Sequence, residues 1–263
     1  MNAENEGKRL NKYIADAGFC SRREADRKIA DGKVKIRRKS RKDEPEHEPV
    51  RASLGDRVFP GDTVIVEGVE LQKKEKKKVY YLLNKPVGIV CTGDPDVENN
   101  VIDYLGARER VNYAGRLDKD SSGLLLLTND GAMIDAMMRA SSHREKEYIV
   151  TVNKEITDDF VDKMRSGVKI LLDDDAHLSG DHPRGIYVTT RPCHVKRIGE
   201  KKFSIILTEG HNRQIRRMCR ALGYHVTSLT RVRLMNLTLG DLKEGRSRRL
   251  TYEEVETLRS ELS

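Results

Sequence analysis

The chain has no tryptophan and only four phenylalanines, so any stacking surface has to come from its nine tyrosines. Its four cysteines, Cys20, Cys91, Cys193 and Cys219, stand far apart with no CxxC or Cys/His pattern. That spacing argues against a disulfide framework and a structural zinc site. No window approaches eighteen consecutive apolar residues, and none reads as a membrane-spanning helix. The opening MNAENEGKR contains acids and no apolar run, unlike a secretory signal or a transit peptide. A reduced, soluble, cytoplasmic protein without a membrane partner is expected.

Charge is what the chain has in abundance. It carries 50 Lys and Arg against 42 Asp and Glu, a net +8 over 263 residues. Residues 1 to 79 hold 21 of the basic and 15 of the acidic side chains, so +6 of that excess lies in the first third. A polyanionic partner fits this distribution better than an acidic small molecule.

The length favours two domains. In the first, Leu10, Tyr13, Ile14 and Ala17 recur at helical spacing and Gly18 is placed to end the helix. Ser21 and Glu24 form a capping box that opens a second helix, which turns Ala25 and Ile29 inward and stops at Gly32. TVIVEGVEL, after Pro60-Gly61-Asp62, reads as a short hairpin. Arg22, Arg23, Arg27 and Lys28 lie off the apolar face of the second helix and are candidate phosphate contacts. RLNKYIADAGFCSRREADRKIADGKVKI resembles the S4 RNA-binding domain, except that the usual tight turn is replaced by a polar insert at about residues 38–53. The expected S4-like domain is 1–71, and the charge run at 72–78 is a solvated linker.

The second domain, 79–263, opens with a strand at Tyr80 to Leu83, a turn at Asn84-Lys85-Pro86 and a further strand beyond Gly88. The run Leu124 to Leu127 predicts a strand covered on both faces, and Thr128 to Gly131 supplies turn and N-cap chemistry for a helix. Arg116, Leu117, Asp118 and Lys119 therefore lie in a loop ahead of a buried strand, a rigid mount for a carboxylate. FSIILT reads as a strand, and Gly210-His211-Asn212 leads into a helix ended by Gly223. On that helix Ile215, Met218, Cys219 and Leu222 share one side and Arg213, Arg216, Arg217 and Arg220 the other. LLDDDAHLSGDHPRG at 171–185 holds carboxylates and histidines but lacks calcium-loop spacing, and no metal is expected.

Taken together, NKPVGIV, GRLDKDSSGLLLLTNDG, HREKEYIVTV, LTEGHNRQIRRMCRALG and the tail SLTRVRLMNLTLGDLKEGRSRRLT resemble the successive motifs of the pseudouridine synthases over nearly the whole chain. With the S4-like segment, the resemblance is to the ribosomal RNA branch, and most of all to the large-subunit synthase F group. It implies an α+β fold whose catalytic domain has a mixed, mostly antiparallel sheet and a central cleft. By that resemblance Asp118 is the catalytic carboxylate that attacks base or sugar or assists elimination, and Arg216 its ion-pair partner, with Arg213 second. A neighbouring guanidinium keeps such a carboxylate ionised. Tyr148 packs against the target base and is the candidate for proton removal, in a KxY context supplied by Lys146. Leu234 lines the pocket and Arg116 fills the gap left by a flipped uridine. His143 and His211 are read as RNA-facing or structural.

The partner implied is ribosomal RNA, with the large subunit favoured and tRNA as a second class; the protein is expected to be a monomer that needs no cofactor. Two other readings stand beside this one. The chain can be an idle RNA-binding assembly factor, which the intact Asp118, Tyr148 and Arg216 oppose. It can also be an acid/base hydrolase using Asp118 and Asp120, which share a face on an extended segment but have no further constellation around them.

Overall fold

The structure is a computed structural model that describes residues 7–40, 47–71, 77–139, 144–172 and 186–262. The chain divides into two compact units, Met1–Lys77 and Lys78–Ser263.

The first unit runs β1 (Lys8–Arg9), α1 (Leu10–Asp16), α2 (Arg22–Ala30), β2 (Val34–Arg37), β3 (Val50–Arg51), β4 (Arg57–Val58), β5 (Thr63–Val66) and β6 (Val69–Glu70). The Ser21 side chain accepts a hydrogen bond from the Glu24 amide at 3.1 Å and starts α2. The chain leaves that helix through Gly32 at φ +73°. Glu67 and Gly68, both at positive φ, form the two-residue turn that matches the twist of the β5–β6 hairpin. Leu10, Ile14, Ala25 and Ile29 of the helices pack on Val34, Ile36, Val64 and Val66 of the sheet β3-β2-β5-β6. The expected polar insert is not all loop. Val50 and Arg51 pair with Ile36 and Lys35, because the edge of β2 offers backbone hydrogen bonds that a polar segment can satisfy as well as an apolar one. Residues 41–46 of the insert and 72–76 of the linker lie outside the described residues.

The second unit continues with β7 (Tyr80–Lys85), α3 (Val101–Leu105), β8 (Asn112–Ala114), β9 (Ser122–Thr128), α4 (Gly131–Arg139), β10 (Lys146–Val152), α5 (Asp158–Ser166), β11 (Lys169–Leu171) and β12 (Tyr187–Thr189). It ends with β13 (His194–Gly199), β14 (Lys202–Leu207), α6 (Gln214–Ala221), β15 (Val226–Leu234), β16 (Leu237–Thr238), β17 (Ser247–Arg249) and α7 (Tyr252–Leu262). Its main sheet has the order β13-β14-β10-β15-β9-β7-β17, with β16 on β15 and β8 on β9. Among the described strand pairs of this sheet only β15 with β9 is parallel; the others are antiparallel. The fold is thus α+β with a mixed, mostly antiparallel sheet. The strand expected beyond Gly88 is reduced to a single bridge between Val90 and Asn100, since a φ of +95° at Gly88 breaks the extended run.

β9 is central. Leu124 and Leu126 face Tyr80, Leu82, Met133 and Met137 together with Val255 and Leu258 of α7. Leu125 and Leu127 face Leu83, Val101, Val111 and Leu117. All four leucines are fully buried, each worth roughly 1.5–3 kcal/mol of burial, so the loop ahead of them has a rigid base. A third cluster joins Phe160 and Met164 of α5 and Ile215, Met218 and Cys219 of α6 to Val150, Phe203 and Ile205.

Candidate active site

The loop from Gly115 to Ser121 is pinned by backbone hydrogen bonds at several points. The Leu117 amide donates to Cys91 Sγ at 3.4 Å, Gly88 N donates to Lys119 O at 2.8 Å, and Ser121 N donates to Asp118 O at 3.1 Å. The Asp118 carboxylate keeps a third of its surface open to solvent, and Arg213 Nη1 stands 3.6 Å from its Oδ2.

The expected ion pair between Asp118 and Arg216 is not formed. Arg216 instead clamps the next carboxylate: its Nε lies 3.4 Å from Asp120 Oδ2, and its Nη2 donates to Asp120 O at 2.7 Å and to Ser121 Oγ at 3.3 Å. Arg213 also grips Asp120, through two hydrogen bonds of 3.1 and 2.9 Å. The cause lies in the backbone. Arg213 is the N-cap of α6 at φ +52°, ψ +32°, a left-handed conformation uncommon outside glycine. It carries the side chain out of the helical series in which Arg216 sits, so the two residues reach the loop at different depths.

The electrostatics follow these contacts. The Arg213 hydrogen bonds, with the charges of Arg216 and Arg213, hold the Asp120 carboxyl below its ordinary range, and Arg213 is raised in return. Burial pushes the Lys85 ammonium down, opposed among others by the charges of Asp118 and Asp120. Burial, reinforced by Arg231, does the same to Lys146, with Glu209 opposing.

Tyr148 lies on β10, half-buried, and packs against two clusters, one of which contains Leu117 beside Asp118. Arg116 is exposed, and no hydrogen bond or ion pair holds it among the described residues. Leu234 is 4% exposed and belongs to the cluster of Leu124, Leu126 and Met235. It thus packs in a different cluster from the two that Tyr148 joins; it sits at the end of β15, beyond a bulge between the Glu147 and Tyr148 pairings. The His211 amide donates to Gln214 Oε1 at 3.0 Å; His143 and residues 173–185 of the acidic stretch lie outside the described residues. Among the described residues no group of three or more His, Cys, Asp or Glu could hold a metal, and no helix is long and apolar enough to cross a membrane.

In the first unit Arg22, Arg23 and Arg27 are exposed. Lys28 differs from them: its ammonium pairs with Glu67 at 2.9 Å and its side chain is 18% exposed. The hairpin turn brings Glu67 across to α2, which no helical wheel can foresee.

Residues 79–221 match the family model described as RNA pseudouridylate synthase. The chain belongs to this family. It is therefore an RNA-modifying isomerase of the pseudouridine synthase type. It is 43% identical over 248 residues, 94% of this chain and 77% of the relative, to the dual-specificity RNA pseudouridine synthase RluF of Escherichia coli O6:H1. It is 34% identical to the ribosomal large subunit pseudouridine synthase B of Bacillus subtilis, over 96% of each chain. It is 31% identical to the ribosomal small subunit pseudouridine synthase A of Escherichia coli K12, over 94% of this chain and 98% of the relative. A solved pseudouridylate synthase shares the fold at a TM-score of 0.62 and 26% identity, over 95% of this chain and 99% of that one.

Three residues of this pseudouridylate synthase were not singled out by pattern: Asp120 as the clamp between loop and helix, and the buried cations Lys85 and Arg231. The available signal was a lysine closing the apolar run at Lys85; the mixed sequence VTSLTRVRL around Arg231 carries no such signal.

Proposed function

We propose that this enzyme converts specific uridines of ribosomal RNA to pseudouridine, with large-subunit RNA as the principal substrate. Two relatives named for ribosomal subunits support the substrate class, and the dual-specificity relative supports a second RNA, for which tRNA is the candidate. The first unit acts as an S4-type RNA-binding domain in which Arg22, Arg23 and Arg27 meet phosphates. The enzyme works as a monomer in the bacterial cytoplasm.

One observation carries the site assignment. Asp118 is the partly open carboxylate on a loop anchored by fully buried β9, with a guanidinium 3.6 Å away that favours its charged form without a bidentate grip. It serves as the catalytic carboxylate, by attack on the base, attack on the sugar carbon, or assistance to elimination. Tyr148 packs against the base and is placed to take the proton from the base carbon. Arg213 supports Asp118, and Arg216 acts one step back by holding Asp120 and Ser121. The reaction is an internal exchange of one bond for another, redox-neutral, so no cofactor is required.

The test is to incubate the protein, without metal or cofactor, with deproteinised bacterial large-subunit RNA that lacks its pseudouridines. New sites are mapped by chemical labelling and reverse transcription, with Asp118→Ala as control. A discrete new site that disappears in Asp118→Ala is expected. Absence of any site on large- or small-subunit RNA, tRNA and assembly intermediates would leave an RNA-binding factor as the better account.

A further inference from the structure

Four neighbouring strands carry one row of residues across the main sheet. The registers are Tyr148 with Arg231 between β10 and β15, Arg231 with Gly123 between β15 and β9, and Gly123 with Lys85 between β9 and β7. Residues paired across strands share a face. Gly123 alternates in step with Leu125 and Leu127, which pack with Leu117 beneath the Asp118 loop. Two buried cations therefore flank a glycine, with Tyr148 at one end of the row and the catalytic loop on the same face.

The two cations differ in how their donors are used. Lys85 is completely buried, and its ammonium donates to Pro86 O at 2.8 Å and Ile89 O at 2.9 Å. Arg231 is 3% exposed, and its Nε donates to Leu124 O at 2.7 Å. Its Nη2 is buried and has no hydrogen-bond partner. Buried donors are almost always satisfied in folded proteins. An unmet guanidinium N–H cross-strand from Tyr148, in a site that handles a nucleobase, is a donor with an acceptor still to come.

We propose that Arg231 is a substrate-binding catalytic residue whose Nη2 donates to a carbonyl oxygen of the target uracil, seated beside Tyr148. This rests on the uridine reading above and names the group that holds the base after it leaves the sugar. In the net reaction the N1–C1′ bond breaks and the C5–C1′ bond forms. A proton leaves C5 and one is gained at N1, so atoms and electrons balance within the nucleoside. While the base is detached, the electron pair of the broken bond spreads onto its carbonyl oxygens. A fixed cationic donor there stabilises that charge in a site shielded from water and retains the base as it turns. The proposed occupant is a base and not a phosphate, because Lys85 and Arg231 are buried in the row that Tyr148 shares, beyond the reach of a phosphate backbone held at the surface.

The test uses the RNA fragment around the uridine that wild-type enzyme modifies, made with uridine, 2-thiouridine or 4-thiouridine at that position, sulfur being the weaker acceptor. Single-turnover rates and RNA affinity are measured for wild type and Arg231→Lys. One thio substitution is expected to slow wild type by about 10- to 100-fold, Arg231→Lys to slow the uridine substrate similarly, and the two together to cost no more than either alone. Equal rates for all three RNAs, or losses that multiply, would overturn the assignment. If Arg231→Lys does not fold, by its melting curve, the thio series on wild type decides by itself. A weaker affinity with a flatter salt dependence and no thio effect would mark a phosphate contact and overturn it as well. Failure of wild type to isomerise the plain uridine RNA would remove the uridine reading, and this inference with it.

Discussion

Arg213 lies across Asp120 in two hydrogen bonds of 3.1 and 2.9 Å and reaches Asp118 only at 3.6 Å. The stronger contacts of the guanidinium go to the neighbour of Asp118, the proposed catalytic carboxylate. Asp118 keeps a nearby positive charge while its carboxylate stays a third exposed, as the proposed catalytic role requires.

Asp120→Asn should remove the charge that holds Arg213 and the Arg216 ion pair, leaving the Arg216 hydrogen bonds to Asp120 O and Ser121 Oγ, and let the loop shift. A displacement near 1 Å at a reacting group costs about a hundredfold in rate, so kcat is expected to fall by roughly that factor with KM little changed. The ion pair is nearly half exposed, so thermal stability should change by under about 1 kcal/mol. A melting curve and single-turnover rates on one preparation decide the matter; unchanged kcat would remove Asp120 from the positioning role.

Arg213→Asn separates charge from conformation. Asparagine tolerates the left-handed backbone that Arg213 adopts at φ +52°, so the variant should melt within a few degrees of wild type while losing most activity. A large drop in melting temperature instead would mean the side chain chiefly holds the fold.

Gly123→Ala should be severe. Gly123 sits at φ +108°, and an added Cβ would lie 2.3 Å from Arg231 O, a backbone atom that cannot move without parting β9 from β15. A loss on the order of 3 kcal/mol or more is expected, read by urea unfolding. A variant of native stability would show that this strand junction is adaptable.

The acid limb of stability should expose Glu254. Its hydrogen bonds to Arg248, at 2.6 and 2.7 Å, hold its carboxyl below the ordinary range. A lowered folded pKa means stability that is fully present above the unfolded value, near 4.3, and lost as pH falls through the folded one. Glu254→Gln should therefore destabilise the protein at pH 7, with the gap narrowing only as pH falls below about 4.3 and closing below the lowered folded pKa. Equal gaps at both pH values would contradict the assignment.

Charge reversal at Arg22 and Arg23 should weaken RNA binding and lower the slope of log affinity against log salt by about one for each phosphate no longer neutralised. Lys28→Ala should leave the slope unchanged and act on stability, because Lys28 is held by Glu67. Filter binding at several salt concentrations distinguishes the two classes; a slope change in Lys28→Ala would return it to the interface.

Local chemistry was legible in the chain itself. The Ser21 cap, the Gly32 exit, the buried run Leu124 to Leu127 and the apolar face of α6 all follow from rules acting over a few residues, and the structure shows each of them. The motif order, with Asp118 ahead of a buried strand, was equally readable, and so was the family. Which arginine faces which carboxylate was not. A helical wheel places Arg213 and Arg216 together, whereas a single left-handed residue at the helix start separates their reach. Nor could the chain reveal the row Tyr148, Arg231, Gly123 and Lys85, whose members come from four strands far apart in sequence. Periodicity reports the face a residue takes within its own strand, but only strand order and register, set by the packing of the whole sheet, decide which residues stand side by side.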